Sequence, residues 1–183
     1  ISGVFVRVGS QVRPGQLLVT IDRSELEGER AEARAERAAA EAELSKTETV
    51  LQNLYLSAPD VLNEAYTKTE NAVRTKADTL LSNVESDNPS LNFTTSNTAA
   101  ETGARLGRIE TRKELLAWRA SLDALAPKAS RAALEQVLEE ARKRLVIIQR
   151  FLLAASDALE TSPTASIAFK TNIFAARTDA AAA

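Results

Sequence analysis

Residues 3–22 read GVFVRVGSQVRPGQLLVTID, and residues 23–44 directly after them read RSELEGERAEARAERAAAEAEL. The change between the two decides the fold. In the first stretch Val4, Val6 and Val8 alternate with Phe5 and Arg7, Gly9-Ser10 punctuates, Gln11 to Arg13 is a short extended piece, and Pro14-Gly15 makes a turn before the apolar run Leu17 to Ile21. Short β-branched runs bounded by Gly and Pro-Gly predict small strands. Two or three such strands cannot bury their apolar faces alone, so they need a complement from elsewhere.

The second stretch is rich in Ala, Glu and Arg and predicts a helix. Asp22 with Glu25 three residues later is a capping-box-like start with an acidic first turn. Along the helix Ala31, Ala35, Ala38 and Ala42 recur at spacings of four, three and four, a seam suited to close approach of another helix. Pro59 lacks an amide donor and disfavours helix at Ala58, which predicts a break or kink there.

Helix resumes over 60–83, with Leu62, Tyr66, Thr69, Val73, Leu80 and Val84 on one face. Residues 84–97, VESDNPSLNFTTSN, read as the clearest loop. A third helix is expected over 98–126, carrying Leu115, Trp118, Leu122 and Leu125 and closed by Ala126-Pro127-Lys128. Ser130 caps a fourth helix with the strongest periodic signal: Leu134, Leu138, Ala141, Leu145, Ile148, Leu152, Ala155 and Leu159 alternate spacings of four and three. Nearly four heptads of this kind require a partner helix face. Pro163 ends it, and a fifth helix carries Phe169, Ile173, Ala176, Ala180 and Ala183.

Composition narrows the function. Among 183 residues the 23 basic and 25 acidic side chains nearly cancel, and no basic block marks a nucleic-acid partner. The absence of Cys, His and Met excludes disulfides, thiolate chemistry, His-based acid–base catalysis and ordinary zinc sites within these residues. No apolar run approaches the ~18–20 residues that span a bilayer. A chain that starts at Ile1 in mid-pattern reads as a fragment, with any signal peptide or anchor upstream, and its last helix reads as cut in mid-course.

The opening segment followed at once by an Ala/Glu/Arg helix resembles the membrane fusion protein family, the HlyD-like periplasmic adaptors of efflux and secretion pumps. The residues that carry the likeness include Gly3, Val6, Val8, Gly9, Val12, Pro14, Gly15, Leu17, Leu18, Ile21 and Asp22. The resemblance implies half of a lipoyl-like β-domain at residues 1–22, the outward arm of an α-helical hairpin at 23–57, and a distal helical bundle with the start of the return arm at 60–183. Scattered residues between Tyr66 and Asp123 are similar to a subgroup with an enlarged helical hairpin domain. True lipoyl and biotinyl carriers share the opening motif, but they need a lysine on a hairpin turn just after it. Here the next lysine is Lys46, deep in the helix, so no attachment site exists.

A chain that leaves a β-domain on a helix and returns must make an even number of passes. Residues 23–83 then go out, 98–126 return, 130–161 go out, and 164 onward returns. The outward path is ~90 Å long, and the segments from residue 60 pack as a four-helix bundle. The expected fold class is mainly α: a long antiparallel helical hairpin or coiled coil with a distal four-helix bundle, preceded by half of a lipoyl-like β-domain.

The numerous carboxylates interleave with Arg and Lys, so pairs such as Glu139 with Lys143 and Glu140 with Arg144 read as a solvated face. No catalytic, cofactor or metal residues are expected. Trp118, in register with Leu115 and Leu122, reads as core, with a ligand or partner contact together with Phe93 as its functional alternative. Phe151, Phe169 and Phe174 read as bundle interior. Adaptors that dock onto an outer-membrane duct carry Arg, Leu and Ser at set spacing near the hairpin tip. Arg112 and Leu116 fit the first two positions, but Asp123 stands in the third, which counts against docking onto such a duct.

The resemblance therefore implies a non-catalytic, extracytoplasmic connector, membrane-associated through segments outside these residues. Its partners are an inner-membrane transporter subunit and further copies of itself. The alternatives are a helical sensory or ligand-binding bundle, with Phe93 and Trp118 lining a pocket, and a coiled-coil spacer.

Overall fold

The computed structural model describes residues 1–125 and 129–183. The expected helix closure at Ala126-Pro127-Lys128 lies outside the described residues. The fold is mainly α. Two units are compact in themselves, Ile1–Gln52 and Asn53–Ala183.

In the first unit the strands are shorter than their sequence suggests. Only β1 (Gly3–Val4) and β2 (Val19–Thr20) pair, antiparallel, with Gly3 opposite Thr20 and Val4 opposite Val19. Residues 5–18 between them are mostly turns and irregular backbone. A ladder needs a facing strand along its whole length, and none stands opposite Val6 to Arg13 among the described residues. No residue of Ile1–Gln52 is buried, and Val4, Phe5, Val8, Leu17 and Ile21 are open to solvent.

Helix α1 runs Ser24–Asn71 and has residues in both units. Its start differs from a capping box. Asp22 Oδ1 accepts from the Ser24 amide at 3.0 Å and from its hydroxyl at 2.6 Å, which makes an Asx turn two residues long. Pro59 lies inside the helix and does not end it. Proline removes one donor, yet the bonds on either side persist in a 48-residue run of mostly good helix formers. The Pro59 carbonyl also accepts from Asn63 Nδ2 at 2.9 Å.

The helix expected to reach residue 83 ends earlier. A π-helical turn, Ala72–Lys76, and a 3-10 turn, Ala77–Leu80, unwind it into β3 (Leu81–Ser82), which pairs antiparallel with β4 (Ser90–Leu91). Val84 is therefore in the hairpin and not on a helix. The two turns still keep Ala72 and Val73, then Ala77 and Leu80, fully buried.

Then come α2 (Thr98–Asp123), α3 (Arg131–Glu160) and α4 (Ile167–Ala181). Each is N-capped: Asn97 accepts from the Ala100 amide, Ser130 from Ala133, and Ser166 from Phe169. The contacts fix their directions. Tyr66 meets Trp118 and Asp78 meets Arg108, so the end of α1 and α2 run antiparallel. Ser121 meets Glu140 and Thr95 meets Thr161 across α2 and α3. Gln149 meets Ala180 and Arg177 meets Ser156 across α3 and α4. Lys76 meets Asp179 and Thr79 meets Asn172, which returns α4 to the end of α1. Every neighbour is antiparallel, an up-down-up-down bundle around one apolar core.

The heptad seam of α3 enters that core at Ala141, Ile148, Leu152, Ala155 and Leu159; Leu134 is buried apart from it, and Leu138 stays 58% exposed. An α-helix drifts ~20° per heptad against a 3.5-residue repeat, and near the start of α3 the drift leaves Val137, not Leu138, against the core. On α4 Ile173, Ala176 and Ala180 are buried, whereas Phe174, expected inside, is 73% exposed.

Candidate functional site

The residues singled out in the sequence fall into separate places. In the first unit Gly9 has φ 89° and Gly15 φ 84°. The Ser10 amide donates to the Arg7 carbonyl and the Gln16 amide to the Arg13 carbonyl, both at 3.0 Å. Each glycine is thus the third residue of a turn that demands positive φ, and Pro14 presets the φ of the residue before Gly15. Both turns are locked alike: Ser10 Oγ accepts from the Arg7 amide and Gln16 Oε1 from the Arg13 amide. Gly3 lets β2 approach, since a Cβ there would lie 3.0 Å from Thr20 Oγ1. The Asp22 carboxyl, held below its ordinary range chiefly by the Ser24 hydroxyl, joins this segment to α1.

Trp118 and Phe93 do not meet. Trp118 is fully buried, its ring edge-on to Tyr66 with centroids 5.7 Å apart, and its Nε1 has no acceptor. Phe93 is buried beyond the other end of α2, 6.0 Å from the Phe169 ring. Twenty residues of helix, about 30 Å, separate Trp118 from Thr98. A shared pocket for the two rings is not formed, and their packing is that of core aromatics. Arg112 is also engaged. It donates to the Glu85 carbonyl and, at 2.7 Å, to Asp87 Oδ1, while Asp123 pairs with Arg119.

That engagement belongs to an arginine clamp the sequence reading missed. On one face of α2, Arg105, Arg108 and Arg112 hold the hairpin formed by β3 and β4. Arg105 Nε donates to the Pro89 carbonyl at 2.8 Å and Nη2 to Asn88 at 2.6 Å. Arg108, only 1% exposed, binds both Asp78 oxygens. Glu85 bridges Arg74 at 3.2 Å and Arg108 at 3.7 Å. Bidentate guanidinium–carboxylate pairing fixes geometry as well as charge, so the clamp sets where the hairpin lies. Both pairs read from sequence on α3 form, but only Glu139 with Lys143, at 3.9 Å, is on a solvated face; Arg144, 3.0 Å from Glu140, is just 13% exposed because it is drawn in against α2, where it also meets Glu114 at 3.5 Å.

Helices α2 and α3 approach closely at Gly103 and Gly107. A Cβ at Gly107 would lie 3.1 Å from the Phe151 Cβ, and one at Gly103 3.2 Å from the Ala154 Cβ. Two glycines four apart on a helix are the signal that could have revealed this contact.

A shallow groove of about 690 Å³ lies between α3 and α4, lined by Leu152, Leu153, Phe174, Ala181, Gln149 and Arg177, among others. Neither Phe93 nor Trp118 lines it. No described helix is long and apolar enough to cross a membrane. No family model, curated protein or solved structure matches this chain.

Proposed function

We propose that the chain is part of an extracytoplasmic adaptor of the membrane fusion protein kind, a structural connector that performs no catalysis and serves a bacterial efflux or secretion transporter. One observation carries this reading. Residues 3–22 form two locked glycine turns and a two-residue ladder, leave their apolar side chains in solvent, and pass through the Asx turn at Asp22 straight into a 48-residue helix. Such a segment is half of a β module, and a half-module leading into a long helix is the pattern of these adaptors.

In this reading the β unit associates with an inner-membrane transporter and with further copies of the protein, and the helical bundle braces the conduit. The bundle core is filled by Trp118, Phe151, Leu115 and Ile148, all at most 1% exposed. That filling favours a connector over a sensor built around Phe93 and Trp118.

The test is purification of the tagged protein, produced from its full reading frame, out of detergent-solubilised envelopes. Recovery of an inner-membrane transporter, lost when Gly9 and Gly15 are both replaced by Val, supports the proposal. Recovery of the protein from the cytosol, or without any transporter, overturns it.

A further inference from the structure

The outward face of α4 carries Ile167, Lys170, Phe174 and Arg177 at spacings of three, four and three, which places them on one strip of the helix. Ile167 is 84% and Phe174 73% exposed. These two side chains stand clear of a bundle whose other face of α4, at Ile173, Ala176 and Ala180, is buried. Among the described residues neither Lys170 nor Arg177 forms an ion pair, and Arg177 donates only to Ser156 Oγ at 3.1 Å. The one acidic residue of α4, Asp179, is occupied elsewhere by Lys76 at 2.5 Å. Across the groove α3 adds Leu153, 47% exposed, with Arg150 one turn before it and Asp157 one turn after. The strip on α4 itself is thus apolar and basic, and the carboxylates beside it are Asp157 and Glu160 along the α3 margin.

We infer that this strip docks onto an anionic phospholipid surface, with Phe174 and Ile167 entering the acyl boundary and Lys170 and Arg177 on the headgroup phosphates. Apolar side chains interleaved with unpaired cations along one helix face are what such a surface takes. Cations near it each add attraction that salt screens. A partner helix would need acidic flanks and a recess matched to its ridges, whereas Ile167 and Phe174 protrude. The inference does not depend on the adaptor reading, because it concerns only the α3–α4 side of the bundle.

The test is co-sedimentation of the full chain with phosphatidylglycerol vesicles and, separately, phosphatidylcholine vesicles, at low and high salt. The expected result is binding to the anionic vesicles that weakens with salt. It falls about fivefold or more in Lys170→Gln/Arg177→Gln, the factor that one or two surface cations supply, and at least as much in Phe174→Ser. Both variants alter exposed side chains, and unchanged melting curves establish that they fold. Three results overturn the inference: no binding to anionic vesicles, equal binding by the α4 variants (which would place any lipid contact elsewhere, for instance on the open strands), or self-association that Phe174→Ser abolishes while vesicles capture nothing.

Discussion

The Arg108 guanidinium meets the Asp78 carboxylate edge to edge, with Nε 2.5 Å from Oδ1 and Nη2 2.8 Å from Oδ2. The pair pins the 3-10 turn to α2 inside the bundle, where the arginine is almost inaccessible to water. Removing Asp78 leaves the buried Arg108 with only the exposed Glu85, 3.7 Å away, to balance it, and breaking a buried pair costs about 3–5 kcal/mol. Asp78→Asn should therefore lose about that much in urea unfolding. The double change Asp78→Leu/Arg108→Met should lose far less, since an apolar pair of similar volume escapes the desolvation cost. A single variant as stable as wild type would show that the clamp does not hold the fold.

The same substitution at two glycines should have opposite effects. Gly28 lies in α1 with open space where a Cβ would go, and Gly107 faces the Phe151 backbone at 3.2 Å. Gly28→Ala should slow amide exchange in the first turns of α1 by the helix preference of alanine, about 1 kcal/mol. Gly107→Ala gains the same preference but must push α2 from α3, so its melting temperature should not rise. A rise at Gly107 equal to the full alanine preference would mean the contact yields freely.

Proline inside α1 withholds one main-chain donor. Pro59→Ala restores it, and amide protection around Tyr55 to Asn63 should increase, with a gain of up to about 3 kcal/mol in local helix stability. If protection stays flat, the helix has already repaired the gap in another way.

Trp118 buries a full indole with an unanswered Nε1 donor. Trp118→Ala should cost about 3–5 kcal/mol through the cavity it opens. Trp118→Phe should cost markedly less, because deleting the lone donor recovers about 1–3 kcal/mol of its desolvation penalty. Equal losses in chemical denaturation would point to water or a partner group satisfying the indole.

Glu140 gives a pH dependence of known sign. A hydrogen bond from Gln136, and beyond it Arg144 and Ser121, hold its carboxyl below the ordinary glutamate range against a smaller opposing effect of burial. The folded chain then binds this proton less readily than the unfolded one. Its stabilisation is complete above the unfolded value and disappears as the pH falls through the lowered one. The melting difference between wild type and Glu140→Gln should accordingly be largest near neutrality and shrink on acidification to about pH 3. A difference constant with pH would assign the effect to packing.

The helices were legible where apolar residues repeat. On α3 the alternation of four and three survives almost to the last member, with Leu138 lost to helical drift. On α2 the reading stopped short: Leu115, Trp118 and Leu122 continue backward through Thr111 and Arg108, both buried and in the same four-three register. A search for apolar side chains passes over core positions filled by polar ones, and the partner of Arg108 is thirty residues away in sequence. The β3–β4 hairpin has strands of two residues, too short for any period to show. The two N-terminal turns were legible because Gly9, Pro14 and Gly15 carry their conformations locally. The outward basic strip of α4 was not, since Phe174 looks like core until the neighbouring helices show which way it points.

The ring of antiparallel helices also dictates an order of assembly. Helices α2 and α3 are neighbours in the chain and find each other after a short search, whereas Lys76 and Asp179 join residues 103 positions apart. Closing that longer span costs more chain entropy and is rewarded only once the inner hairpin exists to receive it. The unit should therefore fold from its middle outward, and α4 should be the first helix to peel away under strain.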